Sequence, residues 1–222
     1  MQLISALTEP NKLWSELKEK PNFLLPLLLI TIGTAVAMLV YFQRVDVAWL
    51  QDQMVAQVDP AQRAAVREQV SVNLIKWSSA IGGPIGILIV FALMAGYYTL
   101  AAKIAGARQG YGAWFGFTCW TSVPGVLGMA VLVVGALTMN PQTAMESLQL
   151  THIDPLLVHL ATDNPWKKLA GGFDLLSFWS IGLGAIGWRN WTGAGWGQAV
   201  FVNALPTILI YGGWAAFILA KH

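Results

Sequence analysis

Long apolar runs dominate the chain, and shorter polar stretches separate them. About 20 apolar helical residues are needed to cross the hydrocarbon of a bilayer, and five runs approach or exceed that length. They cover residues 23–42, 81–102, 113–139, 173–188 and 198–220. None alternates apolar and polar positions as a half-buried strand would. Because backbone amides in lipid must be paired within the helix, the pattern predicts an all-α, polytopic integral membrane protein with five transmembrane helices. We treat residues 1–222 as one five-helix membrane domain.

The two longest polar stretches, residues 43–80 and 140–172, predict helical loops outside the membrane. Each contains an Asp or Asn followed by Pro, which opens helices because the side chain caps free amides and Pro suits the first position. These pairs are Asp59-Pro60, Asn140-Pro141 and Asp154-Pro155. An apolar stripe at helical spacing follows the first pair and predicts packing on an apolar surface. Its members are Val66, Val70, Leu74 and Trp77.

Residues 1–22 precede the first span and form an amphipathic segment. Leu13, Trp14 and Leu17 share one face of a short helix that Pro21 ends. Two interpretations are open: the helix lies in the headgroup region with Trp14 as its anchor, or it packs on the helical bundle.

Composition supports a membrane class and excludes several others. The chain is 56% apolar and only 11% charged, whereas soluble domains carry about a quarter charged residues. A formal net charge of +2 with scattered Lys and Arg predicts no nucleic acid partner. The single cysteine, Cys119, can form no internal disulfide. The short loops at 103–112 and 189–197 are basic without any acid, so we expect a cytoplasmic N-terminus and an outside C-terminus.

Asp174 is the only carboxylate within the five apolar runs, and it shares a helix face with Ser177. Carboxylates inside a membrane are costly and therefore suggest function. Two interpretations are open. Asp174 either caps its helix at the membrane interface or lines an internal cavity.

The run GLGAIG, residues 182–187, has the spacing of a dinucleotide fingerprint but lacks the strand that such a site requires. We interpret its glycines as a helix-packing face, because small residues let two helices approach closely. The packing residues predicted in this way are Gly82, Gly86, Gly182, Gly184 and Gly187.

Prolines interrupt three spans, at Pro84, Pro124 and Pro206. Each removes an amide hydrogen bond and predicts a kink. The freed carbonyls, together with Asn203 and Asp174, suggest a pathway like those of broken helices in transporters. Purely structural kinks are the alternative.

No catalytic constellation is present in the sequence: it has no nucleophile–base pattern, metalloprotease motif or phosphate loop. His152 and His159 have no obvious third ligand, so we predict neither a metal site nor a cofactor. We therefore expect a protein that is not an enzyme.

Several motifs resemble the Yip family of Ypt-interacting membrane proteins, in its bacterial branch. They are P-N-K-L-W-x-x-L with K-P-N, A-x-K-I-A-G-A-R-Q-G-Y, S-V-P, and F-D-L-L-S-F-W-S-I-G-L-G-A-I-G over residues 173–187. The resemblance implies five spans, a cytosolic N-terminus and no known catalysis. Eukaryotic members are associated with Rab GTPases through a longer N-terminus than the 22 residues here, so we expect no such partner.

Two functions follow as expectations. The first is a non-enzymatic protein of the bacterial inner membrane that organises the membrane, membrane-protein partners or copies of itself through helix packing. The second is a small transporter, channel or lipid scramblase with a path lined by Asp174, Asn203 and the proline-broken helices. The candidate functional cluster is Asp174, Ser177, Phe178, Trp179 and Asn203.

Overall fold

A computed structural model describes residues 2–56, 58–69 and 71–221. Within these residues the secondary structure is helical, apart from one isolated two-residue bridge between His152 and Asp174. The all-α class predicted from the apolar runs is therefore confirmed.

Six helices lie in the first half of the chain. They are α1 (Gln2–Thr8), α2 (Pro10–Glu19), α3 (Leu24–Arg44), α4 (Val47–Ala56), α5 (Arg63–Gln69) and α6 (Val72–Ile104). A 3-10 turn, Pro60–Gln62, leads into α5. Six further helices follow. They are α7 (Tyr111–Thr121), α8 (Gly125–Thr138), α9 (Met145–Leu148), α10 (Lys167–Gly172), α11 (Leu176–Thr192) and α12 (Trp196–Lys221). A π-helical turn, Asp154–Val158, precedes α10.

Three helices of the described chain, α3, α6 and α12, are long and apolar enough to cross a membrane. The pair α7 and α8 is bent by 44° and provides a fourth crossing if the two helices form one broken span. The predicted span at 173–188 corresponds to α11. Its 17 residues give about 26 Å of helix, less than the roughly 30 Å of a hydrocarbon core. Three to four spans are therefore supported, and α11 begins three residues later and ends four residues later than the predicted run.

The break between α7 and α8 lies at Pro124, which cannot donate an amide hydrogen bond. Hydroxyl groups next to the break bond to a carbonyl of the last turn of α7. Thr121 Oγ1 and Ser122 Oγ both donate to the Thr118 carbonyl at 2.9 Å. Pro84 and Pro206, by contrast, lie inside the continuous helices α6 and α12.

The predicted loops contain short helices, but their details differ from the prediction. Asp59 caps the turn after it, since its Oδ1 accepts from the Ala61 amide at 2.9 Å. Asn140 opens a turn rather than a helix. Of the predicted stripe, Val70 and the side chain of Val66 lie outside the described residues. The prediction that Leu74 and Trp77 pack on an apolar surface was wrong, because their side chains are 67% and 50% exposed.

The reason is that residues 72–80 continue directly into the span, so their orientation is fixed by α6 as a whole. The face that packs inward there carries Val72 and Ile75 instead.

Helix α2 packs on the bundle, which settles the two interpretations of the N-terminal segment. Its apolar face, Leu13, Trp14 and Leu17, is almost completely buried. The Trp14 indole N–H donates to the Leu183 carbonyl of α11 at 3.0 Å. A second hydrogen bond joins the same two helices, since the Trp191 indole N–H of α11 donates to the Trp14 carbonyl at 2.9 Å.

The largest part of the core is a group of rings that we call the aromatic cluster. Neighbouring ring centroids lie between 4.6 Å and 6.2 Å apart. The cluster consists of Trp14, Tyr98, Trp114, Phe117, Trp188 and Trp191. It joins α2 to α6, α7 and α11 at one end of the bundle.

Candidate functional site

A cavity of about 370 Å³ lies between α6, α7, α8, α11 and α12. We call it the central cavity. One wall is apolar and includes Val90, Phe91 and Met94 of α6. The rest of the lining is mostly polar: Tyr98, Thr118, Thr121, Ser122, Asp174, Ser177, Ser180, Asn203 and Thr207.

The chain reaches this cavity by turning back along α8 after that helix ends. A Cβ on Gly135 would contact Leu148, and a Cβ on Gly128, two turns earlier, would lie 3.1 Å from Thr151 Oγ1. The segment after α9 therefore runs antiparallel to α8. It then pairs with the residues before α11, where the Leu175 amide donates to the Thr151 carbonyl at 2.9 Å.

This return path places the start of α11 deep in the bundle. A Cβ on Gly128 would lie 3.4 Å from Asp174 Oδ2. The next residue, Met129, contacts the middle of α3, where Thr34 Oγ1 lies 3.4 Å from its sulfur. Asp174 is therefore level with the centre of a 21-residue helix, about 15 Å from either end.

Asp174 both caps its helix and lines the central cavity. Its Oδ1 accepts from the Leu176 amide at 2.9 Å, which satisfies one of the free donors at the start of α11. Its Oδ2 accepts no hydrogen bond from any described residue. The cap and the cavity are thus two properties of one side chain, and the cap lies in the middle of the bundle rather than at its edge.

The remaining polar groups of the cavity fall into two sets. Asn203 is buried and bonded: its Oδ1 accepts from the Tyr98 hydroxyl at 2.9 Å, and its Nδ2 donates to the Ala199 carbonyl at 2.9 Å. The hydroxyls of Ser177, Ser180 and Thr207 have no hydrogen-bond partner within the described part of the chain. These three hydroxyls and the free Asp174 oxygen face the cavity with unused bonding capacity.

Asp174 is also the only acidic or basic side chain in the cavity wall, as far as the described residues extend. A carboxylate without a positively charged partner among the described residues attracts a cation. The arrangement is therefore suited to a small cationic group and unsuited to an anion.

The structure brings together three of the five residues predicted as a cluster: Asp174, Ser177 and Asn203 all line the cavity. Phe178 and Trp179 lie on the outer side of α11 and are 62% and 39% exposed. They are not part of the cavity wall, because they are rotated about the helix axis away from Ser177 and Ser180.

The predicted packing glycines also divide into two groups. A Cβ on Gly187 would lie 2.5 Å from the Trp14 ring, and one on Gly184 would overlap the Asn203 side chain. At Gly82, Gly86 and Gly182 a Cβ would meet nothing within 4 Å. The first two glycines permit contacts inside this chain, and the other three leave open surface.

Several cavity residues were not singled out in the sequence. Ser180 follows Ser177 by three residues, and Thr207 follows Asn203 by four, so helical spacing from the predicted residues gave a usable signal. No sequence signal pointed to Tyr98, because a tyrosine in an apolar run is common. The two histidines in the loop join no group of three possible metal ligands among the described residues.

The apolar helices, the bent pair α7–α8 and the partly polar cavity between the helices define an integral membrane protein of the all-α class. The Yip1 domain family model matches residues 4–217. The chain therefore belongs to the Yip1 domain family, as its motifs suggested. No curated protein and no solved structure matches it.

Proposed function

We propose that this family member is a non-enzymatic protein with five membrane spans, in which α11 is the short fourth span. That topology places residues 1–22, 103–112 and 189–197 on one side of the membrane. In support, Lys18 Nζ donates to the Asn190 carbonyl at 2.9 Å, and Ala105 and Ala107 pack on the same core as Trp14. By the basic-loop argument that side is the cytoplasm of a bacterial cell, and the C-terminus lies outside.

The opposite end of the bundle supports the same topology. The Asp46 amide donates to the Pro141 carbonyl at 2.8 Å, and Arg44 donates to the Leu137 carbonyl at 3.0 Å. These contacts join the loop after α3 to the end of α8. Both lie outside the membrane in the five-span arrangement.

The function that the geometry favours is the movement of a small cationic group across the bilayer interior, either as a free ion or as the headgroup of a lipid. The observation that carries this proposal is the free carboxylate oxygen of Asp174 in a cavity level with the centre of α3. A carboxylate at that depth is costly in lipid, and broken helices around a central polar site are typical of transporters.

The cavity also has an entrance from the side. Between α6 and α12 its cytoplasmic end is closed by Tyr97, whose hydroxyl donates to the Val202 carbonyl at 2.7 Å, and by the Tyr98–Asn203 bond. Further along α6, Val90 lines the cavity and is 55% exposed. The opening at Val90 faces the lipid, which suits a headgroup entering with its acyl chains outside.

The test is Asp174→Asn, because asparagine can still accept the Leu176 amide hydrogen bond while the charge is removed. Purified protein is reconstituted in liposomes, and one assay measures K⁺ flux while another measures scrambling of fluorescent phosphatidylcholine. We expect the wild-type protein to be active in one of the two assays. In that assay we expect the rate of Asp174→Asn to be at least tenfold lower. The matched control is Asp163→Asn, an exposed carboxylate of the loop, which leaves the rate unchanged.

Two outcomes contradict this proposal. Wild-type rates equal to those of protein-free liposomes in both assays would remove the transport function. An unchanged rate in Asp174→Asn would remove the role of the carboxylate.

A second candidate function is supported by the open glycines. Gly82, Gly86 and Gly182 leave small surfaces with nothing within 4 Å, the kind of face on which a helix of another membrane protein or a second copy packs closely. We propose that such contacts organise membrane-protein partners. We expect this protein to bind no nucleic acid. Gly86→Leu is expected to reduce self-association measured by light scattering in detergent, and an unchanged mass distribution would exclude a homo-oligomer through this face.

A further inference from the structure

A second cavity, of about 300 Å³, lies at the other end of α11 from Asp174. We call it the interfacial pocket. It is formed where the start of α2, the end of α11 and the start of α12 meet. Its lining residues are Asn11, Ile186, Arg189, Asn190 and Trp196. The function proposed for the central cavity uses none of them.

Arg189 is held in a fixed orientation in this pocket. Its guanidinium carbon lies 4.2 Å from the centroid of the Trp196 ring, which is a cation–π stacking distance. Its Nε donates to the Ala194 carbonyl at 3.3 Å. The two terminal amino groups bond to no described residue, and no carboxylate of the described chain pairs with them.

The groups beside Arg189 are neutral or basic. The Asn11 amide lines the pocket and has no partner among the residues described. Asn190 is positioned by its Nδ2, which donates to Ser15 Oγ at 3.1 Å, and Lys18 lies next to it with Nζ 2.9 Å from the Asn190 carbonyl. The pocket thus combines a stacked, uncompensated guanidinium with an amide donor and a nearby ammonium group.

From this geometry we infer that the interfacial pocket binds the phosphate group of an anionic membrane lipid. A guanidinium binds phosphate through two parallel hydrogen bonds, and stacking on an aromatic ring orders it for that geometry. Trp196 is 53% exposed, as expected for an indole at the depth of the headgroups. Ile186 supplies an apolar wall for the glycerol end of the lipid, and anionic lipids provide the negative surface potential that attracts such cations.

A free phosphate ion offers the same chemistry, so the experiment separates the two sources. The full-length protein in a neutral detergent is heated with short-chain phosphatidylglycerol, short-chain phosphatidylcholine or inorganic phosphate. We expect the phosphatidylglycerol at saturation to raise the unfolding midpoint by about 5–10 °C, because a ligand that binds only the folded state stabilises it. We expect the other two compounds to leave the midpoint unchanged.

The decisive variant is Asn11→Asp, which places a carboxylate beside Arg189. An acidic residue in the first turn of a helix is favourable, so α2 is expected to remain folded. The matched control is Asn73→Asp, since Asn73 is exposed and occupies the first turn of α6 in the other loop region. Asn11→Asp removes the stabilisation by phosphatidylglycerol, whereas Asn73→Asp retains it. Arg189→Lys, which keeps the charge but loses the two-bond geometry, retains only part.

The following results would overturn the inference. Both lipids carry a phosphodiester, but the choline ammonium cancels the negative charge of phosphatidylcholine. An equal shift with phosphatidylcholine would therefore mean that the pocket does not select an anionic lipid. An equal shift with inorganic phosphate would make the ligand a free anion. An undiminished shift in Asn11→Asp would place the lipid elsewhere on the protein. None of these results depends on ion flux or lipid scrambling through the central cavity.

Discussion

The two halves of α11 are surrounded in opposite ways. Its second half, from Leu183 to Trp191, packs against the aromatic cluster, and the indole donors of Trp14 and Trp191 are bonded to backbone carbonyls. Its first half lines the central cavity, where Ser177 and Ser180 leave their hydroxyls without partners in the described chain. One helix therefore has a dry, filled environment at one end and an open, polar one at the other.

Small residues occur in both halves, so side-chain size alone does not explain the difference. At Gly187 the missing side chain admits the rings of Trp14 and Phe117 from two other elements. Near Ser177 and Ser180 the rings of Phe91 and Tyr98 line the space between α6 and α12 without filling it. What decides between packing and a cavity is the residue that the neighbouring helix presents, and this is a property of the assembled bundle.

The largest effect is expected for Trp14→Ala. The substitution removes a fully buried ring from the aromatic cluster, together with the indole N–H that donates to the Leu183 carbonyl. Truncation of a buried Trp costs about 3–5 kcal/mol. Unfolding in mixed micelles measures it, with Trp77→Ala as the control, because Trp77 is half exposed and its loss is expected to cost less than about 1 kcal/mol. A loss below about 1 kcal/mol for Trp14→Ala would show that the packing of α2 contributes little to stability.

A smaller effect is expected for Gly187→Ala, with Gly182→Ala on the same helix as its matched control. The new methyl at Gly187 would meet rigid rings at 2.5–2.8 Å, and such overpacking costs about 1–3 kcal/mol. At Gly182 it meets nothing within 4 Å, so the better helix propensity of Ala leaves stability unchanged or raises it by up to about 1 kcal/mol. The same unfolding assay applies, and a reversed order would contradict the comparison.

Much of the fold could be predicted from sequence, because membrane spans follow from local composition. The runs at 23–42 and 198–220 coincide closely with α3 and α12. The break at Pro124 also had a local cause. The beginning of α6 was misjudged, since polar residues before a span say little about whether the helix has already started.

The candidate site could be predicted only in part. Asp174 was found because a carboxylate in an apolar run is unusual, and Asn203 because it stands near Pro206. The depth of Asp174 could not be predicted from the sequence. It depends on the segment after α9 returning along α8, which is set by contacts such as Thr151 against Gly128.

The smallest effect on stability is expected for Ser180→Val, on the cavity side of α11. The Ser180 hydroxyl has no partner in the described chain, so the substitution breaks no hydrogen bond, and the added methyl groups enter open space. We expect the free energy of unfolding to change by less than about 1 kcal/mol, since apolar groups that fill space without strain are tolerated. Ser180→Ala, which removes the hydroxyl without adding volume, separates the two effects.

Liposome flux then distinguishes a cavity that works from one that is only a packing defect. If the central cavity is the path, Ser180→Val slows K⁺ flux or lipid scrambling severalfold while Ser180→Ala does not, although both proteins are equally stable. A loss of stability in Ser180→Val as large as that in Gly187→Ala would mean that this half of α11 is packed as closely as the other. The contrast between the two halves would then disappear.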